Sequence, residues 1–353
     1  MIILFIIALV MTWFVFKPVL AIAKEKNLVD NPNARKLQKS PVPVLGGVAV
    51  FFGIVIGLCF FKTTVNHVNI FSTLCAMMIM LYVGTMDDIL DIPAWMKFLV
   101  EIGVCLLVIY GTRNLMTNFQ RVLGIIKVPV AAAIPLTVIG MVGIINSINM
   151  IDGVDGLSSG MCILVFCILG LLLFLSHEYS YAALAAVCAG ALIPFFVHNA
   201  FGNKSKMFIG DGGALMMGTA IASMVINILK GRGLSYQLFV SDIDSLSLVA
   251  FCLAVLSVPV FDTLRVMVSR LLRGVSPFHA EKNHLHHHLI DLNWSHVRIS
   301  LFEIALDLLV VLVWGIAYLL GAGVNVQFFA VVVASIIVTW GVSAVSRGRS
   351  SLV

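Results

Sequence analysis

The stretch Asn149-Met150-Ile151-Asp152-Gly153-Val154-Asp155-Gly156-Leu157 sets two carboxylates and two glycines between long apolar runs. A charge placed in hydrocarbon costs roughly 2.5–3.5 kcal/mol at a helix centre on insertion scales, so charges bordering such runs call for a function. The glycines add to that reading, because they let the backbone turn tightly and a ligand come close. Four further polar islands interrupt apolar sequence in the same way. They are Asp87-Asp88-Ile89-Leu90-Asp91, Phe208-Ile209-Gly210-Asp211-Gly212-Gly213, the histidine run His284 to His288, and the basic loop Asp30 to Lys39.

Outward from these islands the chain is apolar. Of its 353 residues 61% are hydrophobic and 11% charged, with a mean hydropathy of +1.08. Soluble domains carry about 25% charged residues, so that class is excluded. Apolar runs of about 20 residues predict eleven spanning helices, at 1–23, 46–62, 70–86, 97–111, 130–147, 157–176, 181–198, 213–230, 246–269, 299–320 and 326–345. The runs are continuous instead of alternating, which excludes barrel strands. The fold class is therefore all-α, a single polytopic membrane domain over residues 1–353. The first run has no small-residue cleavage site after it, and Lys17 and Lys24 lie within or beyond it, so it reads as a retained helix. All seven cysteines fall inside predicted spans and read as packing groups, not as a disulfide framework or zinc site.

Charge by loop orients the spans. Lys24, Lys26, Arg35, Lys36, Lys39, Lys97, Lys204, Lys206 and the cations from Arg265 to Arg298, with Arg347 and Arg349, fall on one side. Lys62, Arg113, Arg121, Lys127, Lys230 and Arg232 fall on the other. The positive-inside rule makes the richer side cytoplasmic, with the N-terminus outside and the C-terminus inside. All five polar islands then share the cytoplasmic face.

Each island has its own chemistry. Adjacent carboxylates such as Asp87 and Asp88 repel each other unless a cation or donor stands between them, which suits Mg2+ binding or a general base. In the basic loop Arg35, Lys36 and Lys39 offer phosphate contacts, as a cationic flap over an anionic substrate. Glycines ahead of a helix can present N–H groups to phosphate, and Asp211 among them suits a metal bridging phosphates. Phe208 reads either as interface packing or as a platform for a base. Asp262 and Arg265, three apart on a helix, can pair. Four histidines within five residues (His284, His286, His287, His288) can bind a transition metal. With no cysteine beside them, contact with a diphosphate or its leaving group is favoured. No repeat or nucleic-acid module is present. Acids, a basic flap and histidines on one membrane face supply the parts of phosphoryl transfer between one water-soluble and one lipid reactant.

From Val29 to His288 the chain resembles the polyprenyl-phosphate N-acetylhexosamine-1-phosphate transferases. The distinctive parts are Val29-Asp30 through Arg35-Lys36, Asp87-Asp88, Asn149 to Leu157, Phe208 to Asp211, and Ser276-Pro277-Phe278 leading to His284-Leu285-His286-His287. The resemblance implies an eleven-span helical bundle in the bacterial inner membrane with a cytoplasmic cleft. It also implies transfer of a sugar 1-phosphate from a UDP-sugar to undecaprenyl phosphate with release of UMP, the first membrane step of a cell-envelope polysaccharide pathway. Mg2+ is the implied cofactor, with Mn2+ as a substitute, and a homodimer the implied assembly. By motif position it implies Asp211 as the principal metal ligand, and Asp87 as the base or acceptor-side acid with Asp88 beside it. Phe208 would stack on uracil, and Asn149, Met150, Asp152, Asp155 and Asn199 would face the nucleotide. His284, His286 and His287 would hold the diphosphate.

The chain departs from the family pattern at four positions. Gln38 stands where histidine is common, Val44 where arginine is frequent, Asp91 where the peptidoglycan branch carries lysine, and Glu281 in place of aspartate. Asp91 and the His-x-His-His spacing point to the N-acetylglucosamine branch. The alternatives are a phospho-MurNAc-pentapeptide transferase and, from another class, a secondary transporter, whose intramembrane acids would lie near the midplane in paired halves.

Overall fold

The computed structural model describes residues 1–30, 41–62, 68–202, 205–230, 246–276 and 283–350. It is a helical membrane bundle whose only paired strands, among the described residues, are β1 (Val29–Asp30) and β2 (Val42–Pro43), antiparallel to each other. Among the described residues nine helices are long and apolar enough to cross a membrane. They are α1 (Ile2–Glu25), α3 (Val68–Leu90), α4 (Ala94–Thr112), α5 (Val130–Met150), α6 (Leu157–Leu175), α7 (Tyr179–Phe201), α8 (Gly210–Leu229), α12 (His296–Leu319), and α13 (Val324–Ile336) continued through a π turn into α14 (Val342–Ser350). Large apolar side chains cover the outside of the bundle where a soluble protein would carry charge: Leu272, Leu319 and Ile2 are each more than three-quarters exposed.

Two predicted spans differ in the structure. The second is a helix of only 14 residues, α2 (Gly46–Cys59), about 21 Å long at 1.5 Å per residue and short of the roughly 30 Å hydrocarbon core. The ninth, expected to run unbroken over 246–269, is two helices, α9 (Leu248–Val255) and α10 (Ser257–Leu272), bent by 79° at Leu256. The cause is local. Pro259 lacks the N–H that a continuous helix would use. Asp307 of α12 caps the new start, its Oδ1 accepting from Ser257 Oγ at 2.8 Å and from the Val258 N–H at 3.0 Å. Apolar composition is blind to a cap supplied from 50 residues away. Of the cysteines, Cys59 and Cys167 are exposed on the bundle surface instead of packed inside, and all seven are free thiols.

At the centre stands α8, buried along its whole length except at Asp211. Helices α2, α3, α5, α6 and α7 pack around it. Without a hydrophobic drive between helices in lipid, close approach through small residues supplies the association. A Cβ on Gly84 of α3 would meet the backbone of Gly212, so these two helices touch main chain to main chain. That contact brings the last turn of α3 against the first turn of α8 and decides where the acids go.

Candidate active site

Residues from eight parts of the chain line one cavity of about 420 Å³: Asp30, Val44, Asp87, Asp88, Asp91, Asp152 to Asp155, Asn199, Lys206, Phe208, Gly210, Asp211, His287 and His296. One wall is carboxylate. Asp87 and Asp88 stand on the last turn of α3, and Asp211 is the second residue of α8. Lys97, on the first turn of α4, places its ammonium between them, 2.5 Å from Asp87 Oδ2 and 3.4 Å from Asp211 Oδ2. The Ile92 N–H donates to Asp87 Oδ1 at 2.8 Å, and the Asp211 N–H donates to Asp88 Oδ1 at 3.2 Å. Gly210 has φ +73°, and a Cβ there would collide with Asp88 Oδ2 and the Val44 carbonyl. Only glycine lets α8 begin at this distance from Asp88.

Three carboxylates answered by one ammonium form an excess of negative charge that favours a cation. Among the described residues no three metal-ligating side chains are already gathered around one point. Magnesium does not require that, since it is held by one or two carboxylates with waters and phosphate oxygens completing the shell. Asp88 Oδ2 is buried with no hydrogen-bond partner, and Lys97 already marks the space between Asp87 and Asp211 as one that accepts positive charge. The hard-oxygen donor set fits Mg2+ or Mn2+.

The loop between α5 and α6 forms another part of the lining. Asn199 shapes it from α7: its Oδ1 accepts the Gly156 N–H at 2.6 Å and its Nδ2 donates to the Met207 carbonyl at 3.0 Å. The amide expected to read a nucleotide is thus committed to holding two loops together at the cavity wall. Asp152 accepts from the Ser158 hydroxyl. Burial raises its carboxyl, and the charges of Asp211 and Asp155 add to this beyond what Ser158 offsets, to about 7. Asp155 is treated oppositely. Burial would raise it, but hydrogen bonds from His296 and Lys206 outweigh burial and hold it below the ordinary value. Lys206 Nζ and His296 Nδ1 meet the same oxygen, Asp155 Oδ2, at 2.6 and 2.7 Å. Lys206 also lies 5.5 Å from the centre of the Phe208 ring, within cation–π range. Asn149 and Met150, at the end of α5, are half-buried and stand outside the residues that line the cavity.

The histidine run is layered. His284, the N-cap of α11 (Leu285–Asp291), is buried and bonded through Nδ1 to Asp262 Oδ2 at 2.8 Å. Arg265 grips Asp262 Oδ1 at 2.7 Å, the expected pair, and reaches the Asn283 carbonyl. His286 is buried, stacked at 5.7 Å on His284 and tilted at 4.4 Å to His287. Burial, reinforced by the neighbouring histidines, pulls it well below the ordinary imidazole value. Its ring occupies the space that a side chain at Gly153 would need. Only His287 of the three expected phosphate ligands lines the cavity; His284 and His286 lie behind it. The flap residues Arg35, Lys36 and Lys39, with Gln38, Pro277, Phe278 and Glu281, lie outside the described residues. The flanks of the flap are placed: Asp30 lines the cavity, and the Phe208 N–H donates to the Pro43 carbonyl at 2.8 Å.

The family model described as glycosyl transferase family 4 matches residues 70–229. An undecaprenyl-phosphate alpha-N-acetylglucosaminyl 1-phosphate transferase of Pasteurella multocida is 30% identical over 271 residues, 75% of this chain and 72% of that protein. The chain belongs to glycosyl transferase family 4. Proteins of the same name from Salmonella typhi and Escherichia coli K12 are 26% and 24% identical over 269 residues, each covering 75% of this chain and 70% of the relative. Within this family-4 chain the matched segment holds α3 through α8, and therefore all three wall acids and Lys97.

Three residues of the site were not singled out by sequence reasoning. Lys97 and Lys206 read as topology charges, yet each is paired to a cavity carboxylate. For Lys97 a signal existed, a lone lysine in the first turn of an apolar helix directly after an acid pair. His296 has none, standing in an ordinary polar connection until the fold brings it to Asp155.

Proposed function

We propose that this chain transfers N-acetylglucosamine 1-phosphate from UDP-N-acetylglucosamine to undecaprenyl phosphate, releasing UMP, on the cytoplasmic face of the bacterial inner membrane. The reading rests on one observation: Asp87, Lys97 and Asp211 converge across three helices at the end of a membrane bundle, facing Lys206 and Phe208 across one cavity. The transferase names of relatives at 24–30% identity agree with it, and the loop charges support a cavity on the cytoplasmic side. The helix-end placement also disfavours a transporter, whose binding site would lie at the midplane.

Undecaprenyl phosphate is already ionised, so its oxygen needs placement more than deprotonation. That oxygen attacks the sugar-bearing phosphorus of the donor, forming one P–O bond as the bond to the bridging oxygen breaks, and UMP leaves with the electron pair. Asp211, with Asp87 and Asp88, would hold the magnesium ion, which supplies charge neutralisation at the diphosphate when bound. Lys97 keeps the acids from repelling one another and leaves a cation on the acceptor side. Lys206 and Phe208 seat the uridine end, Asp152 and Asp155 border it, and His287 faces the diphosphate. The decisive experiment incubates the purified full-length protein with undecaprenyl phosphate, Mg2+ and a panel of UDP-sugars, UDP-N-acetylglucosamine and UDP-MurNAc-pentapeptide among them. UMP release with the first supports the reading, and release only with the pentapeptide donor transfers the chain to the peptidoglycan branch.

A further inference from the structure

We infer that His296 is a positioning residue for the nucleotide sugar, acting through Asp155 and Lys206 on the Phe208 platform. The inference deepens the proposed transferase reading and rests on it. His296 is the first residue of α12, a helix otherwise devoted to packing in the bundle, with Ser295 as N-cap accepting the Arg298 N–H. The start of α12 holds Asp155 twice. His296 Nδ1 meets the carboxylate at 2.7 Å, and Ser300 Oγ, one turn on, donates to the Asp155 main-chain carbonyl at 2.9 Å. Opposite an ionised carboxylate at this distance we assign the proton to Nδ1, in preference to the longer contact of 3.4 Å in which Nδ1 would accept the Asp155 N–H. Lys206, from the connection between α7 and α8, reaches the same carboxylate oxygen at 2.6 Å.

These contacts form a chain of orientation. Asp155 sits in a glycine-flanked loop with freedom to turn, and one ion pair from a flexible lysine would not fix it, because the ammonium is a point charge that follows the carboxylate. The imidazole is planar and anchored on a helix, so it gives the carboxylate one orientation. The carboxylate then fixes where Lys206 stands over the Phe208 ring. His296 is also at the cavity wall, with about a third of its side chain exposed, so the clamp is part of the binding surface and not buried scaffolding. Its contacts run to Asp155 and through it to Lys206 and Phe208, so its effect falls on the donor nucleotide that the proposed reading seats there.

The test measures equilibrium binding of UDP-N-acetylglucosamine to the full-length protein, together with separate KM values for donor and lipid. His296→Ala removes the anchor. His296→Asn restores an N–H close to the Nδ1 position, and His296→Gln places its N–H nearer the Nε2 position. Loss of a hydrogen bond to a charged group predicts roughly ten- to hundredfold weaker donor binding in the Ala and Gln variants, substantial recovery in Asn, and a donor KM that moves more than the lipid KM. Apo melting temperatures monitor folding, and Asn recovery separates positioning from collapse of the loop. Unchanged donor binding in His296→Ala, equal behaviour of Asn and Gln, or equal shifts in both KM values would overturn the inference. Failure of the wild-type protein itself to bind this donor would instead refute the transferase reading, and the inference with it.

Discussion

Asp211 holds its place by two contacts of different kind: its carboxylate meets Lys97, and its backbone N–H serves Asp88. Asp211→Asn keeps the second and most of the volume while removing the charge a metal would use. UMP release is expected to fall roughly 10²–10³-fold with an unchanged elution profile and melting temperature, and wild-type turnover would remove Asp211 from the metal site. The two acids of the glycine loop make a prediction of opposite signs. With Asp152 raised to about 7 from 3.8, the folded chain between those values keeps a proton the unfolded chain has lost, so this group makes stability fall as pH rises through that window. Asp155, lowered by its partners, contributes stability that is present above 3.8 and lost as pH falls through its folded value. Melting curves from about pH 4 to about pH 7 should therefore show a shallower fall for Asp152→Asn than for wild type; an identical slope would mean that Asp152 ionises normally in the folded protein.

Among the elements, the break between α9 and α10 has the most leverage, because α10 carries Asp262 and Arg265, which seat His284 and, through successive ring contacts, His286 and His287. The break is held by Asp307 through Ser257 and Val258. At the other end of α9 the Leu248 N–H donates to Gln120 Oε1 at 2.6 Å and the Ser247 N–H to Gln327 Oε1 at 3.2 Å, so this short helix is tied down on both sides. Asp307→Leu preserves bulk but strands a hydroxyl and a backbone N–H in a buried site, at a cost of about 1–3 kcal/mol. A lowered melting temperature accompanied by loss of UMP release is expected, although Asp307 touches no cavity residue. Full activity with the lowered melting temperature would show that the bend does not set the histidines.

At the scale of the molecule, the bundle gathers the polar islands it describes around one cavity at one end, and the proposal that this end is cytoplasmic rests on the charge bias of the loops. In a background with the native cysteines replaced, Asp291→Cys, at the exposed C-terminal end of α11, should resist an impermeant maleimide added to intact spheroplasts. Ile125→Cys, on the exposed connection between α4 and α5, should react. Reversed labelling would invert the bundle and put the cavity on the wrong side for a nucleotide sugar.

What the sequence by itself determined follows from composition and local chemistry. Long apolar runs must bury their backbone polarity in helices, carboxylates at the ends of such runs are too costly to be idle, and the motif spacing marks the family. The acid wall was legible for that reason, since Asp87-Asp88 and Gly210-Asp211 announce themselves locally. Tertiary structure alone decided the rest. Lys97 finds Asp87 and Asp211 because Gly84 lets α3 meet α8, and Asn199 ties the Gly156 N–H to the Met207 carbonyl while still lining the cavity. Asp307 bends α10 from another helix, and His296 arrives at Asp155 across 141 residues. Each depends on a partner that is distant in the chain and carries no period or motif, so only the packed bundle brings the two together.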